Sequence, residues 1–575
     1  MPDAALDALT RSGLLQSPRR TADGGPIKGD VVVEGRATTL SVVPPGRPSA
    51  RPTIRLSSET ALGRIPHVEQ NGKVCYQSDE GLVLDRYRPD AVLAESVRLA
   101  LDVLADGVTG RNHADFADEW ETYWSPLCIQ RYAFVGPVPD GLCRLAVAER
   151  SERRKRKRDR PSWIGGYVGR SEADIAAFYN GAPYTESHTT RGALYVPLPG
   201  GTVLVPPTET DAWTPARARR LLRDSLAPDG LATLDRALLK RRHRKAETVV
   251  VALPRPSGGL ALFGLRFSGV RDAHPLLPTG TASAVRPVQI DRWDPGYLAP
   301  RGGGHAGLSG RHVVVVGCGA VGGHLAFELA RAGVTRLTLV DPDLLLPDNT
   351  FRHVLGREFW GLPKVSALKT ALERHTPYLQ VTAVEAEIDD TLNDASVDPT
   401  QADLVVLATG APSVEREVNA RLWQAPSAPP ALVTWLEPLG LGGHAVLMRP
   451  GHGPGCLECL FTPPTDSGHP LHNRAAFAAP DQDFSRATAG CGSLHTPYAS
   501  ADALHTASLA ARLATDALLG HEPDSPLRSW KGDPRPFLDA GFQATPRFHT
   551  PAEALDALRL AYHAPACPVC APDRA

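Results

Sequence analysis

The fold is decided by the run Arg311-His-Val-Val-Val-Val-Gly-Cys-Gly-Ala-Val-Gly-Gly-His-Leu-Ala-Phe-Glu-Leu-Ala-Arg331. Four valines lead into a glycine-rich turn, and apolar residues at helical spacing follow, which predicts a buried parallel strand, a phosphate-binding turn and a helix. Gly317 and Gly319 let the backbone turn tightly beside a phosphate, and Gly322 lets the helix pack closely on the strand. The run therefore predicts the start of a nucleotide-binding α/β domain.

Polar residues after the next strand separate two kinds of nucleotide-binding domain. The strand from Arg336 to Val340 ends in Asp341, placed to hydrogen-bond a ribose, and this alone would also suit a dinucleotide dehydrogenase. The polar residues that follow in order are Asp343, Asn349, Arg352 and Lys364. A dehydrogenase has no use for an Asn, an Arg and a Lys in this pocket, whereas cleavage of ATP between its α- and β-phosphates requires cations on the phosphates. We therefore expect an ATP site.

The order and spacing of these residues, from about residue 305 to about residue 520, resemble the ThiF/MoeB family and the adenylation domain of ubiquitin-activating enzymes. By that resemblance Asp341 binds the ribose, while Asn349, Arg352 and Lys364 hold and polarise the phosphates of ATP. The family also implies Mg²⁺ and a homodimer formed through the adenylation domain.

One departure from the family pattern lies after the next strand. The family usually carries Asp-Asn there, and the Asp helps to position magnesium, whereas this chain has Gly410 and Ala411. A magnesium ion would therefore need another carboxylate. A degenerate, non-enzymatic scaffold stays an alternative for this reason.

Length and composition limit the remaining possibilities. A chain of 575 residues predicts three or four domains, and a net charge of −1 gives no reason to expect a nucleic-acid or membrane partner. The sequence contains neither a charged-then-apolar leader nor an apolar run of membrane length, so we expect a cytoplasmic protein. Nine cysteines in such a chain favour metal and thiol chemistry over a disulfide framework.

The first part of the chain has an α+β layout. A short amphipathic helix, Ala4 to Leu15, precedes three predicted strands, and a helix with apolar positions from Val92 to Leu104 follows them. The predicted strands are Asp30 to Val33, Thr38 to Val43 and Thr53 to Leu56.

Between those strands and the second helix lies one cysteine, Cys75, in the stretch Ile65-Pro-His-Val-Glu-Gln-Asn-Gly-Lys-Val-Cys-Tyr76. An isolated cysteine is more often a buried thiol than a nucleophile. Here Gly72 and Lys73 indicate an exposed turn, and a nearby cation would favour the thiolate.

This stretch resembles the active-site segment of ubiquitin-conjugating enzymes, which Pro66, Val68, Gly72, Val74 and Cys75 match in order. The resemblance covers roughly residues 1–150 and is closest to bacterial conjugating domains fused to activating domains in anti-phage operons. It implies that Cys75 is the catalytic cysteine of the conjugating step. The family's oxyanion-stabilising Asn is replaced by His67, so that role is open to His67 or to Asn71.

The middle of the chain is predicted to connect the two ends. Ser151 to Arg160 is a dense basic run, typical of a solvated linker, with a binding patch as the alternative. Beyond it, Ala216 to Leu226 predicts a helix, and Thr248 to Leu253 with Gly259 to Gly264 predict paired strands. We therefore divide the chain into residues 1–150, 151–304 and 305–575.

Two Cys-x-x-Cys pairs predict a metal site. Cys456 and Cys459 lie beyond the predicted adenylation core, and Cys567 and Cys570 lie near the end of the sequence. Each pair can present two thiolates from one tight turn, as a tetrahedral Cys₄ zinc site requires. A redox dithiol is the alternative for either pair alone.

A second catalytic cysteine is predicted at Cys491. A long polar segment, Thr462 to Gly490, delivers it to the start of a helix from about Ala501 to Leu519, and a helix N-terminus lowers the pKa of a thiol. Activating enzymes of the superfamily that this chain resembles carry their acceptor cysteine in such a crossover segment, which implies this role for Cys491. The alternative is a helix-capping region whose cysteine only packs. Cys128 and Cys143 lie among apolar neighbours and are predicted to be core residues.

Together these features predict a multidomain α/β and α+β protein: a conjugating-like domain, a linker domain and a Rossmann-like adenylation domain with a zinc site. The predicted function is ATP-dependent activation of a ubiquitin-like protein with a glycine-ending C-terminus. A thioester on Cys491 would pass to Cys75 and then to a protein amine. The rivals are a sulfur-carrier-protein adenylyltransferase and the degenerate scaffold.

Overall fold

The computed structural model describes residues 3–22, 24–47, 49–57, 62–150, 164–178, 188–239, 244–463, 472–487 and 494–571. It divides into two compact units, one of residues 1–175 with 186–293 and the other of residues 176–185 with 294–575. Two predicted features lie outside the described residues: the basic run 151–160 and Cys491.

The first unit opens with a four-stranded antiparallel sheet in the order β1-β2-β3-β4. The elements here are α1 (Ala4–Ser12), β1 (Gln16–Arg20), β2 (Ile27–Val33), β3 (Arg36–Val43), β4 (Thr53–Leu56), α2 (Pro89–Thr109), α3 (Asp115–Asp118) and α4 (Trp120–Trp124). Burial alternates along β2 and β3 because one face of the sheet packs against a core that includes Val97 and Leu104 of α2. The three predicted strands are confirmed, whereas β1 was missed because Gln-Ser-Pro-Arg-Arg lacks strand-forming residues.

The rest of the first unit is a closed barrel in the order β10-β11-β5-β7-β6-β8-β9. Its elements are β5 (Gln130–Phe134), β6 (Cys143–Arg150), β7 (Gly166–Gly169), α5 (Glu172–Phe178), β8 (His188–Pro197), α6 (Pro215–Asp224), α7 (Pro228–Leu239), β9 (Ala246–Pro254), β10 (Leu260–Ser268) and β11 (Ala284–Arg292). The predicted pairing of the strands now labelled β9 and β10 is confirmed. The boundary at residue 150 stays a prediction, although β5 and β6 precede it and pair with strands that follow it. Barrel closure joins strands distant in the sequence, which local composition does not reveal.

The second unit is built on a seven-stranded sheet in the order β14-β13-β12-β15-β16-β17-β20. Its elements are α8 (Pro295–Arg301), β12 (His312–Val316), α9 (Ala320–Ala332), β13 (Arg336–Val340), α10 (Lys364–His375), β14 (Gln380–Val384), α11 (Ile388–Asn393), β15 (Leu404–Leu407), α12 (Pro412–Gln424), β16 (Ala431–Leu436), β17 (Gly442–Met448), β18 (Arg486–Ala487), β19 (Leu494–His495), α13 (Ser500–Leu519), β20 (Leu527–Lys531), α14 (Arg535–Asp539), α15 (Pro546–His549) and α16 (Ala552–Ala557). The strands from β14 to β16 are parallel, and β17 and β20 add antiparallel pairs.

This topology fixes the place of a ligand site in the second unit. β12, with four buried valines, pairs with β13 on one side and with β15 on the other, so the strand order reverses there. In open parallel sheets, ligands bind at the carboxyl ends of the strands at such a switch point. Among the described helices, none combines the length and the apolarity needed to cross a membrane.

Candidate functional site

Two positions of the turn after β12 leave no room for a side chain and therefore require glycine. Gly317 has φ +85°, and a Cβ there would lie 2.6 Å from the carbonyl oxygen of Ala408. A Cβ on Gly322 would lie 1.8 Å from the carbonyl oxygen of Gly317. Gly319, which precedes α9, would meet nothing within 4 Å. The turn therefore leaves open space at the N-terminus of α9, where backbone N–H groups favour an anion.

Asp341, Asp343 and Lys364 come together beside this turn, as the sequence predicted. The Asp341 carboxylate accepts the backbone N–H groups of Cys318 at 2.6 Å and of Asp343 at 2.9 Å. The Lys364 ammonium lies 2.7 Å from Asp343 Oδ2 and 3.7 Å from Asp341 Oδ1. Lys364 is only 8% exposed, and these carboxylates satisfy a charge that would otherwise be costly to bury.

Asn349 ends a short helical turn, Pro347–Asn349, and Arg352 follows it. The Asn349 side-chain oxygen accepts the N–H of Leu346 at 2.9 Å, so it fixes the turn from within. The Arg352 guanidinium carbon lies 5.5 Å from the centre of the Tyr498 ring. Arg352 is half-buried and keeps a cation at the edge of this segment.

His353, which the sequence analysis missed, ties this segment to the glycine turn. Its Nε2 donates to the carbonyl oxygen of Cys318 at 2.9 Å, and its Nδ1 accepts the N–H of Leu355 at 3.1 Å. Burial lowers the pKa of His353, so the ring is neutral with its proton on Nε2. Its position directly after Arg352 was the only signal in the sequence.

The turn at Gly410, where the family Asp is missing, is held by Glu415. One oxygen of this buried carboxylate accepts the N–H groups of Thr409 and Gly410, each at 3.2 Å, and the Thr409 hydroxyl at 2.8 Å. Burial raises the pKa of Glu415 to about 7 in spite of these bonds. The more accessible carboxylate is that of Asp343, which is 66% exposed beside Lys364.

Cys75 of the first unit lies at the end of a tight loop. Its N–H donates to the carbonyl oxygen of His67 at 2.7 Å, and Val68 bridges Val74 in antiparallel fashion. Gly72 has φ +78°, and a Cβ there would meet the carbonyl oxygen of Leu56 at 2.5 Å. The glycine of the predicted motif is therefore needed, and the loop presents Cys75 to a groove of about 1090 Å³.

The charges around Cys75 differ from the expectation. The thiol donates to Glu69 Oε1 at 3.6 Å, and the Lys73 ammonium lies 3.2 Å from the same oxygen. Burial, and next the negative charge of Glu69, raise the pKa of Cys75 to about 11. Lys73 lowers the pKa of Cys75, as predicted, but burial and the charges of Glu69 and Glu119 outweigh this cation.

Both residues suggested for the oxyanion role already make hydrogen bonds to other groups of the first unit. His67, at φ +62°, directs Nδ1 to Glu119 at 2.8 Å and Nε2 to Asp115 at 2.9 Å. The bond to Glu119 is the largest influence that raises the pKa of His67 to about 9, so the ring is a cation at neutral pH. Asn71 accepts the N–H of Lys73 and donates to Glu69. The oxyanion role stays a prediction.

The four predicted metal ligands form one cluster. The sulfur atoms of Cys456 and Cys567 are 3.5 Å apart, those of Cys459 and Cys570 are 3.4 Å apart, and all four lie within 4.8 Å of one another. Thiolates around zinc, each at about 2.3 Å, would be about 3.8 Å apart, so the cluster fits a tetrahedral ion. Arg416 of α12 makes two 2.7 Å hydrogen bonds to Glu458, which anchors the first pair to the sheet domain.

Two family models match the two regions described above. Residues 301–536 match the ThiF family, and residues 20–130 match prokaryotic E2 family B. The chain is thus a fusion of a prokaryotic E2 family B region with a ThiF region, as predicted from the sequence.

Relatives share this organisation or part of it. The ATP-dependent ubiquitin transferase-like protein Cap2 of Pseudomonas aeruginosa is 26% identical over 485 residues, 79% of this chain and 80% of that protein. The uncharacterized protein y4qC of Sinorhizobium fredii is 34% identical over 263 residues, 41% of this chain and 42% of that protein. Molybdopterin-synthase adenylyltransferase of Escherichia coli is 34% identical over 158 residues, 27% of this chain and 61% of that protein. The predicted enzyme class, a ThiF-family enzyme similar to ubiquitin transferase-like proteins, is confirmed.

Proposed function

We propose that this chain activates the C-terminal carboxylate of a ubiquitin-like protein with ATP and transfers the acyl group to a protein amine. The observation that carries this proposal is the presence, in one chain, of a glycine-lined pocket with a buried lysine and of a groove that contains a thiol. An acyl adenylate made in the first needs a thiol acceptor such as the second. The Cap2 relative, described as an ATP-dependent ubiquitin transferase-like protein, supports the same function.

In the activation step, Asp341 binds the ribose while Lys364 and Arg352 meet the charge that develops on the phosphates. Lys364 is pre-positioned by Asp341 and Asp343, so its ammonium needs little reorganisation as the reaction proceeds. The partner's carboxylate oxygen attacks the α-phosphate, and pyrophosphate leaves. Mg²⁺ is usually held by one or two carboxylates, phosphate oxygens and water, and Asp343 is the accessible carboxylate for it.

In the transfer steps, Cys491 takes the acyl group from the adenylate with release of AMP, and Cys75 takes it from Cys491. Each step forms one carbon–sulfur bond and releases the previous leaving group, so no further reactant is needed. A target amine then forms an amide and frees Cys75. Because the steps need ATP and reduced thiols, we place the reaction in the cytoplasm.

The adenylation domain is proposed to act as a homodimer. Apolar side chains are exposed along the segment that carries Asn349 and Arg352, and Phe351 is 95% exposed. The others are Leu344, Leu346, Trp360 and Leu362. Apolar surface of this kind favours a protein partner, and a second copy would cover it. The sedimentation coefficient of the full chain tests this proposal, since Phe351→Asp should give monomers.

The competing function is that of a sulfur-carrier adenylyltransferase. Two relatives carry such activities in their names, molybdopterin-synthase adenylyltransferase and the sulfur carrier protein ThiS adenylyltransferase of Escherichia coli, the latter 31% identical over 28% of this chain. These relatives match part of the chain only, whereas the Cap2 relative matches 79% of it. The wider match favours conjugation over sulfur transfer.

Two measurements test the proposal, with a β-grasp protein that ends in glycine as the partner. ATP–pyrophosphate exchange that depends on this protein is expected for an enzyme, and its absence would leave the scaffold alternative. Cys75→Ala should still form a reducible adduct on Cys491, whereas Cys491→Ala should adenylate the partner and load neither thiol. If Cys491→Ala loads Cys75 at the wild-type rate, the chain uses a single catalytic cysteine.

A further inference from the structure

One carboxylate in contact with Cys75, that of Glu69, has no role in the steps described so far. Its Oε1 accepts the Cys75 thiol at 3.6 Å. The backbone on both sides fixes it, since the Glu69 N–H donates to Lys73 at 2.9 Å and its carbonyl accepts the N–H of Gly72 at 2.9 Å. The side chain is 28% exposed, so the carboxylate is accessible from solvent as well as in contact with the thiol.

The charged groups around Glu69 leave it as the carboxylate that faces the sulfur. Lys73 contacts Oε1 at 3.2 Å, and Asn71 donates to Oε2 at 3.2 Å. The nearby His67 cation is already shared between Glu119 and Asp115. In the free protein, Glu69 therefore holds the Lys73 ammonium beside the Cys75 thiol. An incoming target lysine would need to place its own amino group in the same way.

The chemistry of aminolysis requires a proton acceptor at this position. The attacking nitrogen binds the carbonyl carbon that is itself bonded to Cys75 Sγ, so its protons come within reach of a group 3.6 Å from that sulfur. A neutral amine becomes cationic as it attacks and must lose a proton for the amide to form. Since a general base must lie within hydrogen-bond reach of the proton that it takes, Glu69 meets the geometric condition.

We propose that Glu69 is the general base that takes the proton of the target amine during acyl transfer from Cys75. The inference rests on the conjugating function proposed above and assigns the proton of its last step. In that step the carbon–nitrogen bond forms, the carbon–sulfur bond breaks, and Cys75 leaves as a thiolate. The amine proton moves to the Glu69 carboxylate and from there to the Cys75 thiolate, so the free thiol and the carboxylate are both restored.

The test compares two nucleophiles on a preformed thioester. Cys75 of the full chain is loaded by exchange with a synthetic peptide thioester that ends in glycine, which requires neither ATP nor the ubiquitin-like partner. Discharge by free lysine, which must lose a proton, is measured beside discharge by hydroxylamine, which is weakly basic and reacts without a base. The variants are Glu69→Gln, Glu69→Asp and, as a matched control on the exposed face of α2, Glu95→Gln.

For Glu69→Gln we expect discharge by lysine to slow by about 10²-fold, with discharge by hydroxylamine within about twofold of wild type. Glu69→Asp should recover part of the rate with lysine, and Glu95→Gln should behave as wild type. Alkylation of Cys75 by iodoacetamide at pH 8 should accelerate in Glu69→Gln, because removal of the negative charge favours the thiolate. The melting temperature of Glu69→Gln must equal that of wild type, because unfolding would also expose the thiol and speed its alkylation.

The proposal is overturned if lysine discharges the Cys75 thioester of Glu69→Gln as fast as that of wild type. It is also overturned if this rate rises together with the rate of Cys75 alkylation. In that case Glu69 only opposes the thiolate. Failure of the conjugating function has a different signature, since the wild-type chain would then show no ATP-dependent thioester while the peptide-loaded thioester still reported on Glu69.

Discussion

The nucleotide pocket and the thiol groove treat negative charge in opposite ways. At the glycine turn, backbone N–H groups and Lys364 are arranged to receive an anion. At Cys75, burial together with Glu69 and Glu119 disfavours the thiolate, while Glu69 holds the Lys73 ammonium. The first site thus suits the phosphate chemistry proposed for it, and the second suits the arrival of an amine more than the attack of a thiol. Under the function proposed above, this contrast is consistent with transfer to an amine at Cys75.

The largest effect is expected when the cations of the nucleotide pocket are removed. Lys364→Ala or Arg352→Ala should slow ATP–pyrophosphate exchange by about 10²-fold or more, because each side chain is assigned to charge that develops in the transition state. Lys369→Ala is the matched control, since Lys369 lies on the same helix and pairs with Glu373 instead. Unchanged exchange at saturating ATP in both variants would show that the pocket is wrongly assigned.

The next effect concerns the cysteine cluster that anchors the second unit. The purified protein should contain about one zinc ion per chain, and Cys459→Ser should lose it and melt at least about 5 °C lower, since structural zinc contributes to folding. Cys128→Ser, at a half-buried cysteine outside the cluster, should keep the metal. Metal-replete protein without zinc, with all four thiols free, would refute the site.

A smaller effect is expected from the ion pairs of His67 in the loop that carries Cys75. The pKa of His67 is raised to about 9, so its ion pairs stabilise the fold fully below pH 6.5, and this contribution is lost as the pH rises through 9. The melting temperature of wild type should therefore fall between pH 6.5 and pH 9.5 by more than that of His67→Gln. Equal slopes for the two proteins would mean that His67 is not a cation in the folded loop.

The two sites also differ in how far the sequence predicts them. Asp341, Asp343 and Lys364 follow the glycine turn within one βαβ unit, so their order along the chain already implies that they meet. The surroundings of Cys75 depend on Glu119, which reaches His67 across 52 residues. No local pattern shows such a contact, and the sequence therefore predicted the loop and the effect of Lys73 but missed the burial and the carboxylates that raise the pKa of Cys75. The barrel was not predicted for the same reason, because β5 pairs with β11, which lies far along the chain within residues 151–304.

The most direct test of the proposed function is to identify by mass which residue of the chain carries the acyl group. The full protein is incubated with ATP and a glycine-ending β-grasp protein, quenched without reductant and mapped by peptide mass spectrometry. We expect a covalent adduct at Cys75 that requires ATP, disappears with dithiothreitol and is absent from both Cys75→Ala and Lys364→Ala. An adenylated partner with no adduct at Cys75 would contradict this expectation, and a partner with a C-terminal thiocarboxylate would favour the sulfur-carrier adenylyltransferase.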